Sequence, residues 1–127
     1  MDWISALDYP EKITRLYEPE LPPLDRVEIG EVSMRECGPD LHVILALSKF
    51  PKNPPLEWRK DKCNEVSLEL IFRRVEEFSF TRFSVDPICD LEITKNSLVC
   101  FSARSNSIEL SGKSNSVDIG RISAYIV

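Results

Sequence analysis

The sequence predicts a mostly β domain: an antiparallel meander of about eight strands, folded as a sandwich or partly closed barrel, with one or two short N-terminal helices. Three observations carry this. From Arg26 onward, apolar residues recur with period 2 rather than 3.6. Turn-forming residues interrupt that alternation at short, regular intervals. The alternation also slips phase at Gly30-Glu31 and again at Gly120-Arg121, the pattern a β-bulge leaves, and bulges help a sheet to coil. The other arrangement open to this pattern is one curved sheet with the helices covering a face.

The first 17 residues read as helical. Asp2 is placed to cap a short helix in which Trp3, Leu7 and Ala6 share a face. Pro10 and Glu11 suit the first turn of a second helix, and Ile13, Leu16 and Tyr17 fall at i, i+3, i+4 on one side of it. Both are too short to be stable alone and must dock on other elements. Residues 18–25, with Pro19, Pro22 and Pro23, form an extended linker.

Residues 26–36 and 41–50 form a hairpin across a turn at Cys37, Gly38, Pro39 and Asp40. In its second strand Leu41, Val43, Leu45 and Leu47 face a core. His42, Ile44 and Ala46 take the opposite phase. Phe50-Pro51 ends the strand, because proline cannot donate to a ladder. Pro54 and Pro55 stiffen the connector that delivers Trp58, so these three residues are expected to form a structural brace; the alternative is a rigid binding edge. Residues 59–64 are polar and expected in a loop. Val66, Leu68, Leu70 and Phe72 mark the next strand, and Phe78, Phe80 and Phe83 a separate aromatic one. Cys89, Leu91 and Ile93 pair through a Lys95-Asn96 turn with Val99, Phe101 and Ala103. Ser105-Asn106 turns into a strand with Ile108 and Leu110. A polar turn over residues 112–116 leads to a last strand from Val117 to Ile126.

Length and composition set the class. A chain of 127 residues is expected to form one domain, 1–127, with enough core to need no staples. With 43% hydrophobic and 29% charged residues it is globular rather than disordered. No apolar run reaches the roughly 20 residues that span a membrane, and the start lacks the basic and apolar regions of a signal peptide. The expected compartment is the cytoplasm. Cys37, Cys63, Cys89 and Cys100 have no metal-type spacing and read as reduced, small apolar residues. No cofactor or metal is expected.

Catalytic patterns are lacking: no GxSxG, no phosphate-cradling glycine loop, no HExxH. His42 is the only histidine, and its strand phase suggests the second face rather than a catalytic position. Asp86, Asp90 and Glu92 could form a carboxylate cluster, but acids are common beside a proline turn. The chain reads as a binding protein rather than an enzyme.

The net charge of −5 is uneven, with ten acids against four bases in residues 1–40. This disfavours nucleic acid as a direct partner and permits a basic protein. Glu18, Glu20, Asp25, Glu28 and Glu31 are therefore the candidate partner-binding residues. The competing reading is that Glu28 and Glu31 guard a sheet edge against wrong pairing.

Several features occur in order along the chain. They are Trp3, Leu16-Tyr17, a proline linker into Val27-x-Ile29, Gly38-Pro39, the segment FPKNPPLEW over residues 50–58, an N-x-V-x-L-x-L run from Asn64, and I-S-A-Y ending at Tyr125. Together they resemble the immunity protein 50 family of bacterial polymorphic toxin systems, over nearly the whole chain. The proline-tryptophan segment is the most specific part, although the family pattern has an arginine where this chain has Glu57. The resemblance implies a mostly β protein that binds and neutralises a cognate toxin C-terminal domain by direct contact. The expected partner is thus a protein, with no nucleic acid and no membrane, and the oligomeric state is left open. No catalytic or contact residue is carried over from the family. A small-ligand-binding β-barrel and a structural adaptor module are the alternatives.

Overall fold

The structure is a computed structural model that describes residues 3–36, 38–84 and 86–127. The cap expected at Asp2 and the thiol of Cys37 lie outside the described residues. Trp3–Ala6 is a single 3-10 turn, and Glu11–Tyr17 is helix α1. As its spacing requires, α1 buries Ile13 and Tyr17 and half-buries Leu16. Pro10 O accepts the first amides of α1, from Ile13 at 3.1 Å and Thr14 at 3.0 Å.

The strands are β1 (Val27–Arg35), β2 (Asp40–Ala46), β3 (Glu65–Phe83), β4 (Ile88–Cys89), β5 (Leu91–Lys95), β6 (Val99–Arg104) and β7 (Ile108–Tyr125). Among the described residues they form one antiparallel sheet in the order β4-β1-β2-β3-β7-β6-β5. Its two edge strands, β4 and β5, are separated in sequence by Asp90 alone. Seven strands laid flat would put those edges roughly 30 Å apart. Two residues span at most about 7 Å. The sheet therefore coils until its edges approach, giving a partly closed barrel. The seam is held by the N-terminal linker: Leu91 N donates to Leu24 O at 2.9 Å, and Arg26 N to Asp90 Oδ1 at 2.9 Å. Asp90, read from sequence as part of a possible carboxylate cluster, thus serves the seam. It holds Arg26, whose φ of 53° is left-handed.

Both phase slips in the sequence are register shifts in the sheet. One falls between Ile29 and Glu31 on β1, and the other lies opposite Glu69 on β7, between Ile119 and Ile122. Two other expectations need correction. The polar residues 112–116 are not a turn, because β7 runs straight through them. Small side chains are needed there: a Cβ on Gly112 would sit 2.6 Å from the Phe101 ring, and Ser114 is fully buried with its hydroxyl donating to Ser116 O at 3.1 Å. β3 pairs with β7 along this length, so the two strands expected around Phe72 and Phe80 are one, and the sheet has seven strands among the described residues. Residues 59–64 are not all loop either. Leu56–Lys60 forms helix α2, started by Pro55, with Glu57 in its first turn and Arg59 and Lys60 in its last, as the helix dipole favours.

The inward positions of the coiled sheet are filled by side chains. Leu41, Leu45, Leu68, Leu70 and Phe72 are inaccessible or nearly so, and the Phe72 ring stacks on Phe101 with centroids 4.0 Å apart. Trp3 closes the core and donates its Nε1–H to Pro22 O at 2.8 Å. Tyr17 ties α1 to the end of β2, its hydroxyl donating to Lys49 O at 2.7 Å, and burial pushes its phenol pKa up. No described helix is long and apolar enough to cross a membrane.

Candidate functional site

With the leucines of β2 and β3 committed inward, alternation turns the intervening residues to the other side of the sheet. The cross-strand register orders them into rows. One outward row is Glu28, Ala46, Ser67 and Ser123; another is Ser33, His42, Ile71 and Asp118. Between them Glu31 faces Ile44, Ile44 faces Glu69, and Glu69 faces the Gly120-Arg121 step. The register shifts at Gly30 and at Gly120-Arg121 therefore lie in one row. The first has a direct consequence. Glu28 and Glu31 are three apart and would alternate to opposite faces in a regular strand, but the extra residue at Gly30 puts both outward.

The centre of this face is a polar cluster. His42 Nδ1 lies 3.0 Å from Glu69 Oε2. A carboxylate only accepts, so the ring proton sits on Nδ1. The other carboxylate oxygen, Oε1, accepts Arg121 N at 3.3 Å. It also occupies the space beside Gly120 where a Cβ would be, so a side chain at 120 would collide with it. Lys12 of α1 donates to Gly120 O at 3.3 Å from the far side. Burial acts to raise the Glu69 pKa, but the His42 hydrogen bond and attraction, the Arg121 amide and the Arg35 guanidinium outweigh it. The carboxyl is held below its ordinary value. His42 is only 7% exposed, although it is on the solvent side of the sheet. Together with Arg35, Ile44, Ser67, Ile71, Arg121, Ser123 and Tyr125, the pair lines a shallow groove.

A second cluster borders the first. Arg73 Nε donates to Asp118 Oδ2 at 2.8 Å and Nη1 to Asp40 Oδ2 at 3.3 Å, and the bond to Asp118 above all raises the Arg73 pKa. Asp40 Oδ1 accepts Arg74 N at 3.1 Å, which holds Arg74 at a left-handed φ of 53°. Chemically the face offers fixed charge and hydrogen-bond donors, with an apolar floor at Ile44 and Ile71. The His42 ring is engaged by Glu69 and covered by its neighbours. Among the described residues, no group of three or more His, Cys, Asp and Glu side chains is placed to hold a metal ion.

The five acids singled out from sequence are all exposed, but the structure does not bring them together. Glu28 and Glu31 share the outer face through β1. Glu18 and Glu20 follow α1, beside the loop after β2, where Glu20 pairs with Lys52 at 2.8 Å and is held below its ordinary pKa by that bond. Asp25 lies in the linker at the seam. Pro54 is half-buried and Pro55 exposed, at the head of α2. Trp58 is half-buried, its ring 6.0 Å from that of Phe50 against the core. Glu69, Gly120 and Arg121 were not singled out as site residues. Their only sequence signals are a charge amid apolar alternation and a glycine at a phase slip; their meeting depends on register.

Neither a curated protein nor a solved structure matches the chain. The sequence profile described as Immunity protein 50 matches residues 9–125, nearly the whole chain. That span includes every strand and the whole outer face, and on it the chain belongs to the immunity protein 50 family.

Proposed function

We propose that this protein neutralises a cognate toxin domain by direct, non-catalytic contact in the cytoplasm, and that the outer face of β1, β2, β3 and β7 is the contact surface. The observation that carries the choice of face is the His42–Glu69 pair. It buries a carboxylate on a sheet face that needs none for the core, and a half-buried charge is a poor way to gain stability. Rigid, preorganised polar groups around an apolar floor are what a protein interface uses at its centre. Glu28 and Glu31 stand at the rim of that face. Glu18, Glu20 and Asp25 act more remotely, as charges that steer a basic partner. Pro54, Pro55 and Trp58 brace the connector after β2. The filled interior favours this reading over a ligand-carrying barrel, as small barrels packed with side chains leave no room for a ligand.

The test is co-expression with the toxin domain encoded beside the gene. The wild-type chain should co-purify with it and preserve growth. A Glu31→Arg, Arg121→Glu double variant changes exposed side chains only. It should lose both effects while keeping its circular dichroism spectrum. A complex that survives the double variant would move the contact off this face. Protection without any complex would rule out direct contact.

A further inference from the structure

We propose that the far half of β3 is a self-pairing edge, through which two copies of this chain join antiparallel about a two-fold axis at Ser79. β2 accompanies β3 only as far as Phe72, and among the described residues the last backbone bond on that side is Val75 N to Pro39 O at 2.9 Å. From 76 to 83, β3 is paired with β7 on one side and with no described strand on the other. Such a row of unpaired backbone groups is a template for another strand. The same stretch carries an aromatic run: Phe78, Phe80 and Phe83 have centroids 6.1 and 5.8 Å apart in succession. Phe78 is anchored against Phe101, whereas Phe80 is 39% and Phe83 51% exposed. Backbone and apolar side chains are thus left unpartnered in one place.

The order of charges selects the occupant. Glu76 and Glu77 precede the aromatics and Arg82 follows them. This order is complementary to its own reverse. Antiparallel pairing about Ser79 sets Phe78 against Phe80 of the second copy, Glu76 against Arg82 and Glu77 against Thr81. The two register steps in this half of β3 fall at Glu76 and Thr81, which pairing about Ser79 sets against Arg82 and Glu77 of the second copy. A two-fold interface needs this self-complementarity. The inference is independent of toxin binding, which is assigned to another face.

Light scattering on the eluting protein tests it. At its highest soluble concentration the wild-type chain should run at twice 14.6 kDa. Arg82→Glu alone, and Glu76→Arg with Glu77→Arg alone, should each run as single chains with unchanged circular dichroism. Mixed in equal amounts, the two variants should restore the dimer mass, since each then presents the charge the other lacks. A single-chain mass for the wild type would overturn the proposal, with the bulges and charges then guarding the edge. A dimer unaffected by both variants would also overturn it, since the contact would lie elsewhere.

Discussion

His42 and Glu69 meet across β2 and β3 on the solvent side of the sheet, Nδ1 to Oε2 at 3.0 Å, one row removed from direct opposition. The pair exists because Gly120 leaves the carboxylate room and the backbone step at Arg121 turns an amide toward it. Removing one partner strands the other in a mostly buried site. Glu69→Ala should cost about 1–3 kcal/mol, the usual penalty for an unsatisfied buried polar group. The midpoint of urea unfolding, compared with the wild type, measures this.

The same carboxyl sets a pH dependence. Its folded pKa lies below the ordinary 4.5, so its contribution to stability is present above that value and lost as pH falls through the folded one. Wild-type stability should therefore fall more steeply in the acid range than that of Glu69→Gln, and the two curves should converge at the lowest pH. Denaturant melts on both proteins across the acid range would show it. Parallel curves would mean that Glu69 makes no such contribution.

Gly120 and Glu69 should be coupled. Gly120→Ala forces the carboxylate out of its place and should cost roughly 1–3 kcal/mol, as overpacking does. In a Glu69→Ala background the new methyl no longer meets the carboxylate and is left against the tip of Ile71, whose Cδ1 is 3.0 Å away, so most of that cost should vanish. A double-mutant cycle with an interaction energy near zero would show that Ile71, not the carboxylate, resists a side chain at 120.

The two tryptophans should separate. Trp3 is buried and its indole N–H is bonded, so Trp3→Ala should cost about 3–5 kcal/mol. Trp58 is half-buried on Phe50, and Trp58→Ala should cost about half as much, roughly 1.5–2.5 kcal/mol. Thermal melts rank them. An unchanged Trp58→Ala melt combined with lost toxin binding would make Trp58 an interface anchor rather than a brace.

Changing Glu18, Glu20, Asp25, Glu28 and Glu31 to their amides should slow association with the toxin and flatten its salt dependence, with little change in melting. Charges that steer a partner act on the association rate and are screened by salt. Stopped-flow binding at several ionic strengths separates this from an edge-guard role, in which the rate is unchanged and the variant aggregates.

The thiols should differ in reactivity. Cys89 is buried, and burial, reinforced by Asp90, pushes its pKa up to about 11. Cys63 and Cys100 are half-exposed. Iodoacetamide at mildly alkaline pH should therefore label Cys63 and Cys100 well before Cys89, because the thiolate is the reactive form. Peptide mass mapping over time reads the order.

The inward face, and most of the strand positions, are legible in the amino-acid order. Period-2 alternation assigned Leu41, Val43, Leu45, Leu68, Leu70 and Phe72 to the core, since side chains on a strand alternate with no other choice. It also located the bulges at Gly30 and Gly120, because an extra residue leaves its mark in that alternation, but not the two steps in the far half of β3. Where small polar residues bridge two apolar runs, as in 112–116, the signal failed. Serine and glycine mark a turn, but they also mark a strand pressed against an aromatic ring. The register between segments 27 and 52 residues apart is fixed only when the sheet has assembled. Register alone carries Glu69 to His42 and Gly120. Alternation says which face a side chain takes. Which neighbour it meets there depends on pairing between distant segments, which is set by how the whole sheet coils and closes at Asp90.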